Sequence, residues 1–352
     1  MKIATAALLP LLFTIASAAQ IDYDRHIAFD NSISSKSFYY SHGSSIAPSE
    51  LEMVNGRFPV ETNHSVTPPN SLRLKWRSRT GGGWLMELQV HTRYGMPEFN
   101  GSNLYAWCYS EEGLSANASP RIYLADSAGK GTPTINFLGS PENLPARKWT
   151  RVRLPLDSFH GLVNDTKDPT FDPHKLTKIA LVPGLDDGQE HTLYLDDVEI
   201  GDDPPEGTHA PDAPSGLTAK GYDRHIDLSW APMADALLQY YKIYRASDGK
   251  SFSAIGIQRA DRTRYEDFLG ASGKSASYKI TAVDVSGNES PASATVQAAT
   301  HELSDDELLT MVQEACFRYY WEAGHPNAGM SIEILPGDKN LVALGSSGFG
   351  TM

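Results

Sequence analysis

The residues in this sequence best suited to chemistry are aromatic rings and carboxylates at short, regular spacings. In the stretch NLYAWCY, Leu104, Ala106 and Cys108 alternate with Tyr105, Trp107 and Tyr109. A strand sends successive side chains to opposite faces, so the two sets separate. Both sets are apolar, which leaves two readings: one face is core and the other a platform, or both fill the interior of a sandwich. A platform of rings suits sugars, because the axial C–H face of a pyranose packs on an aromatic surface while polar neighbours take the hydroxyls. Trp84, which opens WLMELQV, supplements such a platform, with Gln89 or His91 on the polar phase of that run.

Carboxylates offer a second kind of site. In TLYLDDVEI, Leu193 and Leu195 share one parity while Val198 and Ile200 share the other, and a bulge near Asp196–Asp197 reconciles them. Two adjacent acids there form a hard oxygen site for a structural Ca2+, with Asp197 the expected ligand. Acids exposed at a bulged edge, which discourage edge-to-edge aggregation, are the other reading. No further cofactor is expected.

Glycoside hydrolysis needs two carboxylates at a defined separation across the scissile bond. Asp305, Asp306 and Glu307 have a capping explanation, Glu314 and Glu322 fall on solvated helix positions, and Asp338 follows Pro-Gly in a turn. Glu333 alternates with Ile332 and Ile334 as in a strand. No Cys/His spacing of the zinc type occurs, and GSSGFG lacks the G-x-S-x-G form of a serine elbow.

The elements that would position these groups follow from composition and periodicity. The chain has 352 residues, enough for two or three domains, and a formal charge of −13, which argues against nucleic-acid phosphate as a partner. Lys2, the apolar run Ile3–Ile15 and Ala16-Ser17-Ala18 form a secretory signal over 1–18, so a periplasmic or extracellular protein is expected. No later apolar run is long enough to span a bilayer. Cys108 and Cys316 lie too far apart to suggest a disulfide framework, and each is expected to be a buried free thiol. The pentapeptide YDRHI recurs at Tyr23–Ile27 and Tyr222–Ile226 with unrelated flanks, so it marks no repeat.

From 20 to 203 the chain alternates short β-rich runs with Gly, Pro, Asn and Ser clusters, which predicts an antiparallel jelly-roll sandwich. A Pro/Gly/Asp-rich linker follows at 204–210. Over 211–300, Ile226, Leu228 and Trp230 alternate, then Tyr241 and Ile243, which predicts a second sandwich. Past Thr300 the period changes. Ser304 and Glu307 stand in capping-box spacing, and Leu308, Val312, Cys316 and Tyr319 form one apolar stripe, expected to be buried. One helix and about thirty more residues cannot enclose a core alone, so this helix reads as one meant to be surrounded.

Three resemblances now attach to these segments. The successive runs NLYAWCYSEEG, PRIYLADSAGKG, KWTRVRLPLDSF and HTLYLDDVEI resemble the galactose-binding-like carbohydrate-binding modules of secreted glycosidases. Trp230 in LSW, the YYKIYR run and Tyr278 in YKITAVD resemble a fibronectin type III domain, which implies a spacer. Phe317, Arg318, Tyr319, Trp321, His325, Pro326, Gly329, Ser347, Gly348, Phe349 and Gly350 resemble the opening of the glucoamylase-like family that includes endo-β-1,2-glucanases. That last likeness implies an (α/α)6 barrel beginning in 303–352, whose catalytic acids would lie beyond Met352.

The fold expected is therefore mainly β: a jelly roll, a fibronectin-type sandwich and the first helix of a truncated barrel. The function expected is the sugar-binding and spacer portion of a secreted hydrolase acting on β-glucan, monomeric and itself not catalytic. Tyr105, Trp107, Tyr109, Trp84, Trp321 and His325 are its candidate sugar contacts. A surface adhesion or structural protein built of sandwiches is the alternative.

Overall fold

The computed structural model describes residues 26–90, 99–139, 143–159, 171–206, 208–322, 324, 329–333 and 341–345. The secretory segment, His91, His325, Asp338 and Ser347–Gly350 lie outside the described residues.

Among the described residues twelve strands form the first sandwich. They are β1 His26–Phe29, β2 Ser41–Ile46, β3 Glu50–Leu51, β4 Val60–Glu61, β5 Ser71–Arg77 and β6 Gly83–Gln89. Then come β7 Asn103–Tyr109, β8 Arg121–Asp126, β9 Ile135–Asn136, β10 Thr150–Pro155, β11 Leu176–Val182 and β12 Glu190–Gly201. One sheet has seven strands, in the order β10-β7-β12-β5-β3 with β1 beside β12 and β4 beside β5. The facing sheet has five, in the order β2-β6-β11-β8-β9. Period-two alternation places Leu72, Leu74 and Trp76 of β5, and Leu104, Ala106 and Cys108 of β7, against Met86 and Leu88 of β6 and Ile179 and Leu181 of β11. Each such side chain taken fully out of water contributes about 1.5–3 kcal/mol.

The phase change in β12 is a bulge, as its alternation predicts. Its pairing with β7 shifts register between Asp196 and Glu199, and Asp197 takes φ 46°. Leu193, Leu195, Val198 and Ile200 thereby all reach the same core.

Trp84 belongs to that core and is no platform residue. It shares the parity of Met86 and Leu88, is 4% exposed, and donates from Nε1 to Ser78 Oγ at 3.0 Å.

The second sandwich pairs β13 Thr218–Gly221, β14 His225–Ser229 and β17 Arg264–Phe268 in one sheet. The other holds β15 Leu238–Ala246, β16 Ser253–Arg259, β18 Ser275–Asp284 and β19 Val296–Ala299, in the order β16-β15-β18-β19. Trp230 meets Tyr241 edge-on at 5.1 Å inside its separate core. Tyr278, fully buried, donates to Asp267 Oδ2 at 2.7 Å, and the Arg245 guanidinium lies 2.9 Å from the other oxygen of that carboxylate.

The helix α1 runs Asp305–Glu322 and opens with the expected capping box. Ser304 N–H donates to Glu307 Oε2 at 2.9 Å, and Glu307 N–H returns to Ser304 Oγ at 3.3 Å. Its apolar stripe is not buried: Leu308 is 48% and Val312 46% exposed, and Cys316 is exposed with a free thiol, unlike buried Cys108. The stripe shares this with the rest of the helix, since every residue from Asp305 to Phe317 except Met311 is exposed. Among the described residues no helix is long and apolar enough to cross a membrane.

Candidate functional site

The outer face of the seven-stranded sheet carries the aromatic half of NLYAWCY. Tyr105, Trp107 and Tyr109 point away from the core that holds Leu104, Ala106 and Cys108. Burial pushes the Cys108 thiol far up, so it is an inert packing group. The alternation was legible; what covers each ring was not.

Tyr105 is only 3% exposed. The Arg151 guanidinium lies 4.0 Å above its ring, and its hydroxyl donates to Asp203 Oδ1 at 2.8 Å. Hydrogen bonds from Arg153 and Tyr105 hold the Asp203 carboxyl below the usual range.

Trp107, half-buried, meets the second sandwich. Gly287, at φ 81°, lies so close that a Cβ there would sit 3.1 Å from Trp107 Cζ2. Conformation and space therefore both call for glycine. Beside it, Arg151 donates to Val285 O at 2.8 Å and to Glu199 Oε1 at 2.9 Å. Gln239 donates to both oxygens of the same Glu199, at 2.9 and 2.8 Å. Tyr105 and Trp107 are thus closed off, one by a cation and one by a domain contact.

Tyr109, at the other end of the strip, is 9% exposed. Pairing runs from Arg73 through Tyr194 to Tyr109 across three strands. Trp149, just ahead of β10, continues the row with its ring 5.4 Å from that of Tyr109. His64 lies over the row, its centroid 4.9 Å from Tyr109 and 5.0 Å from Tyr194. Glu111 gathers this cluster. It accepts from the Tyr109 hydroxyl at 2.9 Å, and lies 3.1 Å from His64 Nε2 and 3.3 Å from Arg147 Nε. The Tyr109 hydrogen bond, with His64 and Arg147, lowers the Glu111 carboxyl; burial and the Glu111 hydrogen bond raise the Tyr109 phenol. Such a cluster of rings with a carboxylate and a guanidinium can stack a sugar and hold its hydroxyls.

The acid pair at the bulge holds the loop that carries His64. Asp196, fully buried, accepts from Val66 N at 2.6 Å, Thr67 N at 2.9 Å, Thr67 Oγ1 at 2.6 Å and Asp197 N at 2.8 Å. Burial raises its pKa well above the usual range while those donors oppose the rise. Asp197 is 2% exposed, so the pair is not the exposed edge that a blunting role requires. Four donors therefore converge on Asp196, three of them from the loop that follows His64. Among the described residues no three acids, histidines or cysteines gather into a metal-binding group.

Trp321 stands apart from this face. It is 77% exposed, stacks with Phe317 at 5.9 Å, and lines a cleft of about 300 Å³ with Arg264, Glu314 and Arg318. His64, Glu111, Arg147 and Trp149 escaped the sequence reading. Trp149 had a signal, since it shares the outward parity of Arg151 and Arg153. His64 had none, because loop contacts 130 residues apart in sequence place it.

No family model matches the chain. It is 39% identical, over 351 residues and 98% of its length, to the exo β-1,2-glucooligosaccharide sophorohydrolase (non-reducing end) of Parabacteroides distasonis. The crystal structure of a β-1,2-glucanase from Parabacteroides distasonis matches over 93% of the chain at 38% identity and a TM-score of 0.80. The chain spans about half the length of each, 48% and 46%. Over the part that matches, the chain is similar in sequence to these enzymes, and it shares its β-rich fold with the crystal structure.

Proposed function

We propose that this chain is the β-sandwich portion of a secreted glycoside hydrolase acting on β-1,2-glucooligosaccharides. The observation that supports this most is the 39% identity carried through both sandwiches and α1 to one such hydrolase. In this reading the first sandwich is a galactose-binding-like carbohydrate-binding module whose sugar contact is the Tyr109 end of its outer face. The second is a fibronectin type III domain. It acts less as a flexible spacer than as a fixed support, given the Glu199 contacts across the junction.

The (α/α)6 barrel begins at α1, and its catalytic carboxylates belong to the half of the relative that this chain does not span. Of the acids of α1, Glu307 caps the helix and Glu314 lines the cleft with Arg264 and Arg318. Trp321, which lines the cleft, contributes to a sugar subsite there.

The test is direct. The chain is incubated with linear β-1,2-glucan, and both retention in a glucan affinity gel and release of reducing ends are measured. Retention without turnover is expected. Turnover by this chain would overturn the division of labour, and absence of retention would favour a structural role for the sandwiches.

A further inference from the structure

We propose that Trp149, Arg147 and Glu111, backed by His64, form a subsite for a single glucose residue of a β-1,2-linked chain. The inference rests on the β-1,2-glucan reading above and locates its contact on residues other than those the sequence singled out.

Three observations converge on it. Trp149 and Tyr109, with ring centroids 5.4 Å apart, end the aromatic row; Tyr109 is buried with His64 stacked on it, and Trp149 is the ring of the pair that reaches solvent. Trp149 is half-buried: its ring is anchored, yet part of it meets solvent. An outward-facing row of rings on a sheet is not explained by the core, which the opposite parity already fills.

Arg147 is the second observation. It holds φ 57°, a left-handed conformation that costs an arginine free energy and that only local constraint maintains. Its N–H is fixed to Ser110 O at 2.8 Å, while its side chain is 78% exposed, so packing does not explain why an arginine stands there. What the strained turn does is hold the guanidinium over the Glu111 carboxylate, 3.3 Å away.

The third is chemical complementarity. A guanidinium beside a carboxylate offers donors and acceptors side by side, the pattern that vicinal hydroxyls satisfy. In a 1,2-linked glucan every interior residue keeps its 3- and 4-hydroxyls as a free pair, and its C–H face is open to stack on an indole. Glu111 holds its place through Tyr109 and His64, and His64 through the loop that Asp196 anchors, so the wall is organised before a sugar arrives.

Titration calorimetry of the full chain with linear β-1,2-, β-1,3- and β-1,4-glucooligosaccharides tests this, with Trp149→Ala and Arg147→Gly as variants. Binding of the β-1,2 series is expected to weaken about tenfold in Trp149→Ala, from loss of the stacking surface. Arg147→Gly should weaken it severalfold while the melting temperature holds or rises, since glycine accepts positive φ. That combination separates lost recognition from lost folding. If the wild type binds the β-1,2 series and both variants bind it equally well, the subsite is refuted and the β-1,2 reading stands. If the wild type instead prefers another linkage, and Trp149→Ala abolishes that, the β-1,2 assignment falls while the site on Trp149 survives. A wild type that binds none of the three series overturns both.

Discussion

Arg151 and Glu199 face each other at 2.9 Å on the outer face of the first sandwich, and together they fasten the second one. Arg151 reaches on to Val285 O, and Glu199 receives both hydrogen bonds of Gln239. Glu199 is 5% exposed, so this is a buried ionic junction rather than a surface contact.

Removing one partner of such a junction strands the other charge. Glu199→Ala is expected to cost about 3–5 kcal/mol, the range for breaking a buried pair. Differential scanning calorimetry should split one cooperative transition into two, with the second sandwich melting independently. A single unshifted transition would show the junction to be incidental.

Asp196 makes the clearest stability prediction. Asp196→Ala leaves the Val66 and Thr67 donors without their buried acceptor, a loss of about 1–3 kcal/mol for each stranded group. The calcium reading at Asp197 has its own test: a melting temperature that drops on adding EDTA supports a bound Ca2+, and one that does not move counts against it.

Glu111 sets a pH dependence. Its folded carboxyl lies below the ordinary glutamate value, so its contribution to stability is present above that value and is lost as pH falls through the folded one. Glu111→Gln should therefore flatten the acid limb of a stability-against-pH curve. Its slope near neutrality should not change.

On α1 the expectation is a lack of effect. Leu308→Ser and Val312→Ser change side chains about half exposed, and in this chain each should stay within about 0.5 kcal/mol of the original in denaturant melts. Trp84→Ala is the contrast: a buried indole with its hydrogen bond lost should cost about 3–5 kcal/mol without altering any glucan preference.

Features that depend on neighbours along the chain could be read without the fold. Alternation located the strands and sorted the two faces of NLYAWCY. The parity change predicted the bulge at Asp196–Asp197, and Ser304 with Glu307 marked where α1 starts. Those features obey a local period or a three-residue hydrogen bond, so composition and spacing suffice to read them. What lies over each side chain came from the packing of distant segments. It put Trp84 inside, Arg151 over Tyr105, Gly287 against Trp107 and His64 over Tyr109. It spent Asp196 on a loop 129 residues away and left the stripe of α1 in solvent. Whether an outward ring is open or closed depends on which distant segments fold back over it, and no residue near that ring in the chain records the answer.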